Sequence, residues 1–73
     1  MIKMEQIQER LKEAIKQSGM TQTELAKRIG KIQQSVAQYL SGRALPSLET
    51  FANICAVLGL DANEILCINE YGN

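Results

Sequence analysis

The sequence predicts an all-α fold, a compact arrangement of five short helices. Three features lead there. Every periodic apolar segment repeats at helical spacing, each is closed by Ser, Thr, Asp or Gly punctuation, and no alternating β pattern, internal repeat or low-complexity tract separates them. With 73 residues, the chain is expected to form one small domain over 1–73, near the lower limit for an adequate core without metals or disulfides.

The first helix is expected from about Lys3 to Gln17, burying Met4, Ile7, Leu11, Ala14 and Ile15, with Lys and Glu on its other face and a stop at Ser18-Gly19. The second opens at Thr21, whose hydroxyl can cap a backbone N–H while Glu24 reaches back to complete a capping box. Leu25, Ala26 and Ile29 follow at helical spacing, and Ala26 stands where a larger side chain would push the next helix away. Gly30 ends this helix, since glycine takes positive φ at little steric cost and so permits a sharp turn. A third helix runs from about Ile32 to Leu40 and stops at Ser41-Gly42; at about 100° per residue, Val36 and Leu40 share one face and Gln34, Gln38 and Ser41 the opposite one. The loop Arg43-Ala44-Leu45-Pro46 leads to Ser47, the expected N-cap of a fourth helix burying Leu48, Phe51, Ala52, Cys55 and Leu58 before Gly59. Asp61 and Glu64 are read as a further capping box, opening a short fifth helix with Ile65, Leu66 and Ile68; these last two helices occupy about 47–68, and the tail Glu70 to Asn73 is expected to fray.

Residues 21–42, TQTELAKRIGKIQQSVAQYLSG, therefore read as two helices joined by a turn, with glutamines crowding the start of the second. That is the layout of a DNA-reading helix-turn-helix. Gln22, Ala26, Gly30, Gln33-Gln34-Ser35, Val36 and Gly42 fall where the phage-repressor family (lambda-repressor and Cro-like, also called Xre-like) carries its motif residues, and the chain resembles that family from about residue 5 to residue 68.

The resemblance implies a lambda-repressor-like domain whose second motif helix enters the major groove of double-stranded DNA. A glutamine amide carries both donor and acceptor, so it can pair bidentately with adenine N6 and N7 or donate to guanine. Carried over position by position, Gln33, Gln34 and Gln38 are the base readers, Ser35 meets a base or a phosphate, and Gln22 is a phosphate ligand at the start of the preceding helix. The expected function is a sequence-specific transcriptional regulator, a cytoplasmic repressor that binds a palindromic operator as a homodimer. Ile54, Val57, Ile68 and Tyr71, off the expected core stripe, are the expected dimer patch.

Two positions depart from the family pattern. Lys31 and Ile32 replace the usual apolar residue and the Ser or Thr that caps the recognition helix. Ile32 either rotates inward to supply the missing apolar contact or sits against a thymine methyl. Some family members hold the first helix to the recognition helix with a buried arginine–glutamate pair, where this chain has Ile15 and Leu40. An apolar pair avoids desolvating two charges, so the contact is expected to persist with changed chemistry.

The formal net charge is zero, yet it is unevenly spread. Residues 1–20 carry four basic and three acidic side chains; residues 21–46 carry Lys27, Arg28, Lys31 and Arg43 against Glu24 alone; residues 47–73 carry Glu49, Asp61, Glu64 and Glu70 with no base. The positive end falls on the motif, and Lys27, Lys31 and Arg43 are expected phosphate contacts, few enough to imply modest non-specific affinity.

Other functional classes find little support. The chain has no histidine and no glycine-rich phosphate loop, so neither an enzyme, nor a zinc site, nor any cofactor is expected. Cys55 falls on a core face and Cys67 has no partner in a CxxC motif. No signal peptide is visible, and the longest apolar run, Ile54 to Leu60, is far shorter than the ~20 residues that cross a bilayer. The alternative function is a protein-interaction module, antitoxin-like or a regulator subunit, with DNA contact secondary. Since no ligand-sensing domain fits here, regulation is expected from concentration, dimerisation, a protein partner, or a larger chain of which this is part.

Overall fold

Capping hydrogen bonds set where three of the helices start. A computed structural model describes residues 1–70 and contains α1 (Met4–Gln17), α2 (Gln22–Ile29), α3 (Gln33–Ser41), α4 (Leu48–Leu58) and α5 (Ala62–Ile65), closed by a 3-10 turn (Ile68–Glu70). Thr21 Oγ1 accepts from the Glu24 amide at 3.1 Å, Ser47 Oγ from Thr50 at 3.2 Å and Asp61 Oδ1 from Asn63 at 3.0 Å. Each satisfies an amide that the helix itself leaves unpaired. At the turn between α2 and α3, Gly30 has φ 72° and the Lys31 amide donates to the Ala26 carbonyl at 2.8 Å. Only a residue without a Cβ takes that conformation freely.

The core joins all five helices: Leu11 and Ile15 from α1, Leu25, Ala26 and Ile29 from α2, Val36 from α3, Phe51, Ile54 and Cys55 from α4, Ile65 from α5. Leu25, Val36 and Ile54 have no exposed surface at all. Ala26, at 2% exposure, lets α2 and α3 approach closely, as its size suggests.

Several expectations from the sequence are corrected. The Glu24 carboxylate turns away from the Thr21 amide and accepts from Arg28 Nε at 2.8 Å, an i,i+4 ion pair replacing half of the capping box. That hydrogen bond holds the Glu24 carboxyl below the usual glutamate range. A depressed carboxylate pKa favours the folded state above the unfolded value and loses that contribution as pH falls; here the group is fully exposed, so the effect on stability is small. Met4 is 48% exposed rather than buried. Leu40 is half-buried against the core, bordering a groove with Gln8, Glu9 and Lys12 of α1, while Ile15 is fully interior.

The largest correction concerns α4. Its buried stripe is Thr50, Phe51, Ile54 and Cys55, rotated by about one residue from the expected one, so that Leu48 is 86% exposed and Ala52 faces solvent. Thr50 can sit inside because Ser47 Oγ donates to its hydroxyl at 3.1 Å, which removes the penalty of burying an unpaired polar group. Further on, α5 ends at Ile65, and Leu66 and Ile68 fall outside it. Cys67 breaks it by adopting φ 64°, a conformation uncommon for a non-glycine residue and here compatible with a completely buried side chain. Asp61 caps Asn63 there, and the end of α5 is taken up from α1: Arg10 donates to the Glu64 carbonyl at 3.1 Å and pairs with Glu70.

The rotated stripe has a direct test. Ile54→Ala should cost about 2–5 kcal/mol, as for other fully buried aliphatic side chains, whereas Ala52→Ser should stay within roughly 0.5 kcal/mol. Urea denaturation measures both, and the opposite ranking would restore the stripe expected from the sequence.

Candidate nucleic-acid interface

Burial of Val36 in the core turns the other side of α3 outward. Gln34, Ala37, Gln38 and Ser41 line one open groove together with Arg43, which follows the helix. Two amides, a hydroxyl and a guanidinium thus face the same space, a donor- and acceptor-rich surface matched to base edges and phosphate oxygens. The sequence reading named Gln34, Gln38 and Arg43 of this set as DNA contacts and placed Ser41 on the same outward face. It missed Ala37, whose signal was its spacing of three from Gln34 and four from Ser41. As the smallest side chain of the set, Ala37 leaves the groove open between the glutamines.

Gln33 is oriented from the neighbouring helix. Its Nε2 donates to Gln22 Oε1 at 2.5 Å, tying the first residue of α3 to the first of α2. The pair leaves the Gln33 carbonyl oxygen and one of its N–H groups free, together with both N–H groups of Gln22. Gln22 and Gln33, assigned to phosphate and base separately, are one hydrogen-bonded unit.

The N-terminus of α3 lacks a side-chain cap. Ile32 occupies the cap position in extended geometry without a side-chain hydrogen bond, and the Ser35 amide closes the turn onto the Ile32 carbonyl at 3.0 Å. Of the two placements open to Ile32, the structure shows the outward one, with 64% of the residue exposed. Ser35 is half-buried and does not border the groove.

Cations stand at both ends of α3. Lys31 precedes it in the turn and Arg43 follows it, both exposed. Lys27 is exposed in the last turn of α2 beside Arg28, where positive charge complements the carbonyl end of that helix. Neither Lys27 nor Lys31 borders the groove of Gln34 and Gln38.

One member of the expected dimer patch is corrected. Ile54 has no exposed surface and belongs to the core, because the rotation of α4 turns it inward. Val57 is half-buried against that core, Ile68 is 43% exposed in the closing turn, and Tyr71 lies outside the described residues. A different apolar surface is exposed instead. Met4, Ile7, Leu45, Pro46, Leu48 and Leu66 line a shallow groove over Phe51.

Among the described residues no cluster of His, Cys, Asp or Glu could hold a metal ion, and no helix is long and apolar enough to cross a membrane. Both cysteines are buried and free. Burial, with Asp61 adding to it, pushes the Cys55 thiol up and so keeps it protonated and inert.

Residues 11–65 match the helix-turn-helix family. Two relatives, an HTH-type transcriptional regulator for conjugative element SXT from Vibrio cholerae and one for conjugative element pMERPH from Shewanella putrefaciens, are each 47% identical over 47 residues. That stretch is 64% of this chain and 22% of each relative, so the chain spans only about a fifth of their length. No solved structure matches the chain.

The uncapped helix start yields a stability prediction. Ile32→Ser supplies an oxygen for the free amides of the first turn and removes an exposed apolar side chain, and it should raise stability by about 0.5–1 kcal/mol. A thermal melt that is unchanged or lowered would mean that this turn is satisfied without a cap.

Proposed function

The chain belongs to the helix-turn-helix family, and we propose that it is a sequence-specific, non-catalytic transcriptional regulator of the phage-repressor type. In this reading α3 lies in the major groove and the protein represses by occupying an operator, in the cytoplasm. One observation carries it: the outward face of α3 gathers amides and a hydroxyl, with a cation beyond each end of the helix. Gln33, Gln34 and Gln38 read base edges; Gln22, Lys27, Lys31 and Arg43 meet phosphates, and Ser35, half-buried, touches backbone at most. The relatives are named as regulators for conjugative elements; we extend to this chain the regulation of transcription and leave its genes open.

Binding as a homodimer is part of the proposal, with its two-fold moved from Ile54 to the exposed surface around Leu48. Leu45 and Pro46 follow Arg43 closely in sequence, which sets this surface beside the reading groove. Half-sites of such dimers lie about 34–36 Å apart, a distance comparable to the molecule's long extent of 37 Å. The same surface is the observation that favours the second reading, a module that docks on another protein.

Reading and holding leave different signatures. Gln34→Ala should cost about 1–3 kcal/mol on the preferred operator and flatten the preference at one base pair, while Lys27→Ala or Arg43→Ala should weaken all sequences alike and lower the salt slope by roughly one unit. Competition binding at several salt concentrations distinguishes them. Operator preference that survives Gln33→Ala, Gln34→Ala and Gln38→Ala would remove the major-groove assignment and leave the protein-docking module.

Leu48→Glu addresses the dimer. Sedimentation should change from dimer to monomer, with operator affinity lowered and the fold intact by circular dichroism. A variant that remains dimeric would place the two-fold elsewhere.

A further inference from the structure

The segment that closes the described chain, residues 66–70, is held in a conformation it would not choose alone. Cys67 stands at φ 64°, in the left-handed region that a residue with a Cβ keeps only when its surroundings force it. Its side chain is wholly buried, and its Sγ donates no further than the Ile65 carbonyl, at 3.8 Å. The backbone hydrogen bonds are local as well. The Cys67 amide donates to the Glu64 carbonyl at 3.1 Å and the Glu70 amide to the Cys67 carbonyl at 3.3 Å, which binds the segment to α5 and to itself.

Arg10 of α1 ties it to the body of the protein. Its Nη1 donates at 3.1 Å to the same Glu64 carbonyl that receives the Cys67 amide, and its Nη2 pairs with the Glu70 carboxylate. One side chain therefore grips the segment on both sides of the left-handed residue. The side chains of Arg10 and Glu70 are 40% and 45% exposed, so water and salt compete for this grip. Between the two holds, Leu66 forms part of the wall of the apolar groove around Leu48. A strained residue, local hydrogen bonds and an exposed anchor are the marks of a segment that opens at less cost than global unfolding.

We propose that residues 66–70 are a strap, latched by Arg10, which opens while α1–α4 stay folded and takes Leu66 out of the apolar groove, so that latching and the docking of a second copy at that groove favour each other. The coupling to docking rests on the dimer reading of the groove; the opening of the strap does not.

The two free, buried cysteines report on the strap in the unaltered protein, since Cys55 lies in α4 and Cys67 in the strap. The full chain is incubated with iodoacetamide under native conditions, and alkylation of each cysteine is followed by peptide mass spectrometry. Cys67 should react about tenfold faster than Cys55, or more. Arg10→Met should speed Cys67 by about tenfold and Glu70→Gln by about twofold, with Cys55 unchanged and circular dichroism preserved. Equal rates at the two cysteines, or variants that move both together, would mean that the segment opens only with the whole fold and that there is no strap. Raising the protein concentration through the dimer transition seen by sedimentation should slow Cys67 about fivefold or more, and Leu48→Glu should abolish that dependence. A chain that dimerises through Leu48 yet alkylates Cys67 at a concentration-independent rate would overturn the coupling. A chain that sediments as a monomer at every concentration would remove the dimer reading and the coupling with it, while the comparison of Cys67 with Cys55 still decides the strap.

Discussion

Val36 is the constraint on which the rest of the molecule depends. It is the only fully buried residue of α3, and it meets a core whose other wholly hidden aliphatics, Leu25 and Ile54, come from α2 and α4. A valine is stiff at χ1, so its packing fixes the rotation of the helix as well as its position. Tyr39 and Leu40 support it from half-buried positions. The opposite side of α3 is thereby left free of any structural duty, and the hydrogen bond from Gln33 to Gln22 anchors the helix at its first residue. The left-handed turn at Gly30 and the small Ala26 serve the same end, since both allow α3 to come near enough for one side chain to hold it.

Electrostatics in this chain is a matter of placement. The total charge is zero, yet the last third carries four acidic side chains and no base. Of these, Glu70 is already paired with Arg10, and Asp61 and Glu64 border a cleft against the second half of α1. At physiological salt the screening length is about 8 Å, short beside a molecule 37 Å long. Charges further apart than the screening length are largely screened, so Lys31 and Arg43, which flank α3, act through their immediate surroundings and not through the total. A chain can be neutral as a whole and still present a positive edge.

Most of the helical framework could be read from residue types with strong local preferences. Thr21, Ser47 and Asp61 cap the helices they precede, and Gly30, Gly42 and Gly59 end theirs with positive φ. The phase of α4 was not legible, because Leu48, Phe51, Ala52, Ile54, Cys55, Val57 and Leu58 give apolar residues on nearly every side and periodicity alone cannot choose a face. A hydroxyl pair, Ser47 with Thr50, makes the difference by allowing Thr50 inside. The early end of α5 at Ile65 was not legible because the chain turns just beyond it at Cys67, a residue with no preference for the left-handed region. Within the site, the glutamine face was visible in the helical wheel. The outward side chain of Ile32 was not, since either orientation satisfies the same pattern, and the amide pair of Gln22 with Gln33 spans two helices where a one-dimensional pattern has no way to express it.

The separation of the two faces of α3 also bears on how such a chain changes over generations. Gln34, Gln38 and Ser41 are exposed, with no part in the core, and substitutions at positions of that kind usually alter stability by no more than about 0.5 kcal/mol. Every intermediate along a path that replaces them one at a time is therefore a folded protein. Target preference can drift by single steps without crossing a valley of unfolded ancestors, and descendants of one scaffold can diverge in the sequences they recognise while keeping the same interior.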